Sequence, residues 1–277
     1  MAIVFNEAVI PAEPFGRGAR RQRLISDART KGTSILLDRV AIDAAGVAEV
    51  EVPPGSVAWF HVLEGEVTMA HAPGTERLSH EHAAFLGPGS RTRLESSSGA
   101  MLLYVEVPDA GRFDPDFAAN PPGSRVIDWT REPLLDSKHD ARKRIYMATP
   151  KLFGTRAIKA EMILYPPNTS GSKHRHEGAE HFKYMLKGQG TGYADDGVHS
   201  LRCGDVVYHP AGEWHYSTTG DGESMEFIEF FVPGIFKSEW ANELVCTWLP
   251  TGRNIRGEKP AREIASHADA EAGAGEL

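Results

Sequence analysis

The stretch HRHEGAEHFKYMLKG, residues 174–188, concentrates potential metal ligands at the start of an apolar run. Its first eight residues, from His174 to His181, include three histidines and two glutamates. His174 and His176 alternate with Arg175, so both imidazoles would face the same side of a β-strand. Imidazole nitrogen is a common ligand of iron, manganese, nickel, copper and zinc. The stretch therefore predicts a metal site built on strands.

Short strand-like segments surround this stretch along most of the chain. Examples are AIKAEMILY (157–165), DVVYHP (205–210) and SMEFIEFFV (224–232). They are rich in β-branched and aromatic residues, and Gly, Pro, Asp or Ser bounds them, as is typical of strands. Many short strands with frequent turns favour small barrels or double-sheet jelly rolls. The sequence predicts an all-β fold.

The chain also repeats itself at an offset of 122 or 123 residues. The matched pairs are Gly32 with Gly154, Gly65 with Gly188, and Pro88 with Pro210. Between the Pro-Pro pairs at 53–54 and 166–167 the offset is only 113, so the second copy carries about ten extra residues, which include the histidine stretch. An internal repeat indicates a duplicated structural unit. We expect one unit over 1–125, a second over 126–257, and a C-terminal tail over 258–277, of which the small, polar stretch 266–277 is expected to be disordered or loosely attached.

Composition excludes several classes of function. The formal net charge of −8 argues against a general nucleic-acid-binding protein. No window approaches the roughly 18 apolar residues that a membrane span requires, and the N-terminus lacks the pattern of a signal peptide. The two cysteines, Cys203 and Cys246, are too few for a disulfide framework. We expect a cytoplasmic protein whose partner is a small molecule, with no nucleic acid and no membrane.

The segment GDVVYHPAGEWH, residues 204–215, has the spacing G-x5-P-x-G-x2-H. Together with the spacing of residues 174–188, which follows G-x5-H-x-H-x3/4-E-x6-G in part, it resembles the two motifs of the cupin superfamily. With the duplication, residues 30–255 resemble a bicupin. This resemblance implies two tandem cupin double-stranded β-helix (jelly-roll) barrels, a homodimer, and one metal ion per chain. Arg93 takes the place of His215 in the first copy, which is therefore expected to be degenerate and metal-free.

The resemblance implies that His174, His176 and His215 ligate the metal. The fourth position departs from the family pattern, because a count forward from His176 reaches Glu180 and a count back from Gly188 reaches His181. We expect His181 to be the fourth ligand, with Glu180 as the alternative.

Other residues near the motifs carry possible chemistry. Lys183 lies two residues after His181 on the same strand face, and is a candidate catalytic acid, base or anion anchor. Glu161 and Glu229 are carboxylates within apolar strands, and such a carboxylate can support the N–H of a ligating histidine. His209 is expected to have a structural role.

The resemblance implies a metal-dependent enzyme but does not name its reaction, because this fold supports many chemistries. Our first hypothesis is a non-haem Fe(II) dioxygenase that acts on a small aromatic or diketone-like substrate, similar to gentisate dioxygenase. The alternative is a non-redox, Mn-dependent aminohydrolase or isomerase that resembles ureidoglycine aminohydrolase. A third hypothesis is a non-catalytic protein that binds a metal or a small ligand. Fe(II) is the favoured ion, and Mn, Ni and Zn are the other candidates.

Overall fold

The computed structural model describes residues 1–71, 74–242 and 244–269, and its fold is almost entirely β. The predicted all-β fold of the cupin jelly-roll type is confirmed. In this part of the chain, none of the helices has the length and hydrophobicity that crossing a bilayer requires.

The chain forms two compact units. The N-terminal unit comprises Ala8–Trp129 and Phe153–Ala157, and the C-terminal unit comprises Met1–Glu7, Thr130–Leu152 and the chain from Ile158 onward. These units differ from the predicted segments 1–125 and 126–257, because the first seven residues belong to the C-terminal unit. Strand pairing explains this, since the first strand lies antiparallel to a strand near residue 207. A sequence pattern cannot reveal a pairing across 200 residues.

The N-terminal unit contains one eight-stranded sheet. Its strands are β2 (Glu13–Ile25), β3 (Leu36–Glu51), β4 (Val57–His71), β5 (Gly74–Ser79), β6 (His82–Leu86), β7 (Arg91–Ser96), β8 (Ala100–Val107) and β9 (Arg125–Asp128). Its core is a cluster of buried aliphatic and aromatic side chains that includes Phe60, Met69 and Leu102. Arg93 of β7 is exposed and contacts Glu49 and Glu95.

The C-terminal unit contains a thirteen-stranded sheet. Its strands are β1 (Ile3–Asn6), β10 (Leu135–Ser137), β11 (Lys143–Ala148), β12 (Lys159–Tyr165), β13 (His174–Glu177), β14 (Glu180–Ala194), β15 (Gly197–Arg202), β16 (Asp205–His209), β17 (His215–Thr218), β18 (Met225–Val232), β19 (Lys237–Trp240), β20 (Thr247–Pro250) and β21 (His267–Ala268). In the described residues of both units, the one α-helix is α1 (Pro150–Phe153), and single 3-10 turns span Glu7–Val9, Ala110–Arg112 and Trp129–Arg131.

The two units repeat the same strand plan. Strands β4 and β14 each have 15 residues, and both their first and their last residues are offset by 123. Each strand has a bulge just before Gly65 or Gly188. Both glycines have φ near +71°, and a Cβ at either would lie within 2.2 Å of a carbonyl oxygen on the neighbouring strand. Only glycine fits this geometry, which explains the repeated glycine.

Residues of the described C-terminal segment are attached to the C-terminal unit. Strand β21 pairs with β20, and Asp269 donates its backbone N–H to the carbonyl oxygen of Cys246 at 3.0 Å. Residues 267–269 of the predicted tail thus form two strand pairs and one further backbone hydrogen bond with the C-terminal unit. The remainder of the predicted tail, residues 270–277, lies outside the described residues.

Strand alternation divides the interior of the C-terminal unit into an apolar end and a polar end. Met185 and Phe227 belong to the apolar core of this unit. His181, Lys183 and Glu229 lie on the same strand faces as these two residues, because they are two or four positions away along β14 and β18. The polar end of this interior contains the predicted metal ligands.

Candidate metal centre

Three strands, β13, β14 and β17, bring the predicted histidines together. His174 lies opposite His215 in the pairing of β13 with β17. A turn at Gly178, where φ is +76°, separates β13 from β14 and so places His181 beside His176. Five pairs of these rings have centroids 4.6–5.2 Å apart. The pairs are His174–His176, His174–His215, His176–His181, His176–His215 and His181–His215.

The ring nitrogens form two overlapping groups of three that could hold a metal ion. One group is His174, His176 and His215, and the other is His181, His209 and His215. Within each group the ligating atoms lie within 4.8 Å of one another. Glu180 belongs to neither group of described residues. Its side chain is half-buried, whereas His181 is buried. Of the two alternatives at the fourth position, the geometry favours His181, and its role as a ligand stays a prediction.

Each of the four predicted ligands has one ring nitrogen fixed by an oxygen atom. The Nδ1–H groups of His174 and His215 donate to the carbonyl oxygens of Ser172 and Glu213 at 2.8 and 2.9 Å. A carbonyl only accepts, so each of these neutral rings carries its proton on Nδ1 and has a lone pair on Nε2. Hydrogen bonds of this kind orient the ligating histidines of metal sites.

The other two rings are held in a similar way. Nδ1 of His176 lies 3.0 Å from the hydroxyl of Ser238, and Nε2 of His181 lies 2.9 Å from a carboxylate oxygen of Glu229. His181 therefore donates from Nε2 and keeps a lone pair on Nδ1. Nε2 of His176 is buried and has no hydrogen-bond partner in the described structure. A buried polar atom without a partner is costly, and a metal ion would remove that cost.

A contact between two histidines supports the fit of a cation most strongly. Nδ1 of His181 lies 2.9 Å from Nε2 of His215. With both protons committed to oxygen atoms, two lone pairs face each other at this distance. Two nitrogens bound side by side to one ion at about 2.1 Å, with an angle of about 90° at the metal, lie about 3.0 Å apart. This spacing fits one divalent ion bound by both His181 and His215, and the sharing of that ion by all four histidines stays a prediction.

Burial keeps these imidazoles neutral, as metal ligation requires. Desolvation lowers the pKa of His174 to about 4, against a smaller opposing effect of its hydrogen bond to Ser172. Desolvation, and then the neighbouring histidines, lower the pKa of His176 and His215 well below the usual value. The pKa of His181 is lowered in the same way by burial and by the charge of Lys183.

Aromatic rings pack around the imidazoles. Trp240 stacks on His174 with ring centroids 4.9 Å apart, and Phe231 stacks on His181 at 4.5 Å. Phe236 contacts the ring of His176 edge to face at 4.8 Å. These contacts restrict ring rotation, so the metal-binding nitrogens are preorganised.

A cavity adjoins the histidines, and its lining carries four cationic and three anionic side chains. The cations in the lining are Arg142, Arg144, Lys159 and Lys183, and the anions are Glu161, Glu229 and Asp269. Lys183 is buried, and its Nζ lies 5.1 Å from the centre of the Phe227 ring. Burial lowers the pKa of Lys183, although the charge of Glu229 opposes this shift. The predicted catalytic lysine therefore lies at the cavity.

The two carboxylates predicted as support for a histidine have different roles. Glu229 contacts His181, as described above. Glu161 lies instead between Arg144 Nε at 2.8 Å and Lys159 Nζ at 2.7 Å. These are ion pairs, and neither carboxylate oxygen of Glu161 has a hydrogen-bond partner in the described structure.

His209 was expected to be structural, but it lies in the second group of possible ligands. Its ring stacks on His215 with centroids 4.2 Å apart, and its Nδ1 lies 2.7 Å from a carboxylate oxygen of Glu213. A signal for this position exists in the sequence, because Asp205, Val207 and His209 alternate along one strand face. Ser238 and Trp240 carried no such signal, since they lie more than 60 residues beyond the histidines that they contact.

Comparison with protein families matches residues 161–231 to the cupin domain. This segment contains His174, His176, His181 and His215. No curated protein matches the chain.

Solved structures with a similar fold cover most of the chain. Protein Ylba from E. coli, of the DUF861 family, is 16% identical, with a TM-score of 0.66 over 83% of this chain and 90% of its own. A putative glyoxylate-induced protein from Pseudomonas aeruginosa is 14% identical, with a TM-score of 0.70 over 83% and 88%. The oxalate decarboxylase of Lactobacillus farciminis, in complex with formate, is 13% identical, with a TM-score of 0.70 over 87% and 88%. At these identities the similarity establishes the cupin fold and leaves the reaction open.

Proposed function

We propose that the C-terminal unit is a metal-dependent cupin enzyme that binds one divalent ion through His174, His176, His181 and His215. The observation that carries this proposal is the buried 2.9 Å contact between Nδ1 of His181 and Nε2 of His215, because the hydrogen bonds of the other two ring nitrogens to oxygen atoms leave these two without protons. The repeated strand plan supports a bicupin in which the N-terminal unit is the degenerate copy.

A small anionic substrate fits the adjoining cavity. Arg142, Arg144, Lys159 and Lys183 are each no more than 7% exposed, and their charges face the cavity. Arg142, Arg144 and Lys159 already have carboxylate partners, so the cation that favours an anionic ligand is Lys183, which forms no ion pair within the described residues. The similar structure that is named as an oxalate decarboxylase also supports a small carboxylate as the class of substrate.

For the reaction, we favour non-haem Fe(II) dioxygenation of a small aromatic or diketone-like acid. Fe(II), when bound, would supply electrons to dioxygen, and a redox-silent ion such as Mn(II) would supply only Lewis acidity. Lys183 would hold the substrate anion and transfer a proton to or from it. Phe231 and Phe236 would exclude water from the histidine side of the cavity.

Dioxygen consumption tests this reaction. The full-length protein, stripped of metal and reloaded with Fe(II), is incubated with a panel of hydroxybenzoates, catechols and β-diketones in an oxygen electrode. We expect substrate-dependent oxygen uptake by the wild type and none by His176→Ala. The matched control is His199→Ala, which removes a histidine of the same unit whose imidazole forms a hydrogen bond with Asp196 and belongs to neither group of possible ligands. Equal uptake by His176→Ala and the wild type would contradict the proposal.

Lys183 also supports a second candidate, the non-redox aminohydrolase or isomerase. Burial lowers the pKa of Lys183 and so favours its deprotonated form, which can act as a general base without any oxidant. In that case turnover would proceed at the same rate in anaerobic buffer with Mn(II), and the oxygen electrode would record no uptake.

A further inference from the structure

The C-terminal segment of the described chain places a carboxylate inside the cavity of the metal centre. Asp269 follows strand β21, and its side chain is only 13% exposed. It lines the same cavity as His174, His176 and Lys183. The function proposed above assigns no role to this carboxylate.

Two groups of the cavity wall bind the Asp269 carboxylate. Nη1 of Arg144 donates to both carboxylate oxygens, at 3.0 and 3.2 Å. The indole N–H of Trp248 donates to one of them at 2.8 Å. Planar guanidinium and indole donors that converge on two oxygens form a site with the shape of a carboxylate.

The wall of this site is built independently of Asp269. The guanidinium of Arg144 lies 4.0 Å from the centre of the Trp248 ring, and its Nε faces Glu161. Nη1 also lies 3.1 Å from the hydroxyl of Tyr146. Arg144 is therefore held in place by β-strand residues, and it would need another anion if Asp269 moved away.

The segment that carries Asp269 has few attachments near the cavity. Strand β21 has two residues, and its pairs with β20 are Thr247 with Ala268 and Trp248 with His267. His267 adds one side-chain contact, from Nε2 to the hydroxyl of Tyr146 at 2.7 Å. A two-residue strand at the edge of a sheet opens at a small cost in free energy compared with a core strand.

We propose that Arg144 and the indole N–H of Trp248 form a carboxylate-binding subsite, and that Asp269 occupies it as an internal ligand which the carboxylate of an incoming small molecule displaces. The site accepts a monocarboxylate end group and discriminates against the neutral amide, because without Asp269 the cations of Arg144 and Lys159 share the single charge of Glu161. That the incoming molecule is the substrate rests on the proposed function, whereas the competition with Asp269 does not.

Acetate is the probe for this subsite, and acetamide is its neutral isostere. Binding of each is measured by ligand-observed NMR titration on full-length protein at equal metal content. We expect Asp269→Ala to bind acetate about tenfold more tightly than the wild type. The reason is that the Asp269 carboxylate no longer competes with acetate for the subsite. Glu263→Gln, which removes an exposed carboxylate from the same segment, should bind acetate as the wild type does. If the Asp269→Ala variant binds acetate no more tightly than the wild type does, the proposal is overturned.

Hydrogen exchange on the wild type gives a second readout that needs no variant. Saturating acetate should accelerate exchange of the Asp269 amide, which donates to Cys246 in the closed state. Acetamide at the same concentration should leave that exchange unchanged. Acetate binding without faster exchange at residues 267–269 would contradict displacement. Metal content is measured separately, so a failure of the metal proposal is distinguishable from a failure of this one.

Discussion

Glu229 accepts a hydrogen bond from Nε2 of His181 at 2.9 Å, and this contact determines which nitrogen of His181 faces the other histidines. The two residues lie on neighbouring strands β14 and β18, with Glu229 opposite Lys183 in the register. Because the carboxylate accepts the hydrogen bond of the Nε2–H group, Nδ1 carries no proton and its lone pair is directed at His215. A carboxylate in this position also makes the imidazole a stronger ligand.

Replacing Glu229 by glutamine should therefore weaken metal binding without removing a ligand. We expect the dissociation constant of the metal to rise about tenfold, which is within the range for the loss of such a supporting contact. Competition with a chromophoric chelator measures it. The matched control is Glu226→Gln on the opposite face of β18, where Glu226 contacts Lys187. Equal affinities in the wild type and both variants would show that the contact does not support a ligand.

Glu161 should contribute strongly to the stability of the C-terminal unit. Its side chain is fully buried between the charges of Arg144 and Lys159. Glu161→Ala would leave two buried cations with one counter-charge fewer, so we expect it to lower the free energy of unfolding by about 3 kcal/mol. Urea denaturation followed by tryptophan fluorescence measures the change.

The control for this change is Glu66→Ala, which breaks an exposed pair with Arg77. Exposed pairs contribute little to stability because water screens them. If the two variants unfold at the same urea concentration, the buried charge network does not stabilise the fold.

His61 should make the stability of the N-terminal unit depend on pH. Burial, with a smaller effect of His80, lowers the pKa of His61 to about 3 from its usual 6.5. Below pH 6.5 the unfolded chain binds a proton that the folded chain does not, so stability falls as the pH drops from 6.5 towards 3. His61→Gln should remove up to about 1.4 kcal/mol per pH unit of this slope.

Urea midpoints measured between pH 7 and pH 4 test this dependence. His139→Gln is the control, because His139 is an exposed histidine. A wild type and a His61→Gln variant with parallel pH profiles would contradict the assignment.

The sequence was most informative where local spacing determines geometry. Strand alternation predicted that His181 and Lys183 share a face, and the structure places both on the interior face of β14. Gly65 and Gly188 match in the sequence repeat, and in the structure each follows a bulge. Only glycine tolerates the close approach of the neighbouring backbone there. These features depend on neighbours within a few residues.

Contacts between distant segments were not predictable from these patterns. Nothing in the first seven residues indicates that β1 pairs with β16, and nothing in SHAD (266–269) indicates that Asp269 would bind Arg144. The small, polar residues of 266–277 predict a loosely attached tail, because polarity is the property that a composition shows. The contact between Asp269 and the buried Arg144 depends on tertiary structure, which composition does not show.

The central claim is that four histidines of the C-terminal unit bind one divalent ion. Metal analysis by mass spectrometry of full-length protein, purified without chelators, tests it directly, with His215→Ala and His199→Ala as the variant and its control. We predict about one divalent ion per chain in the wild type and in His199→Ala, and less than about a tenth of that in His215→Ala, because His215 belongs to both groups of ligands. Equal metal content in His215→Ala and the wild type would contradict the account.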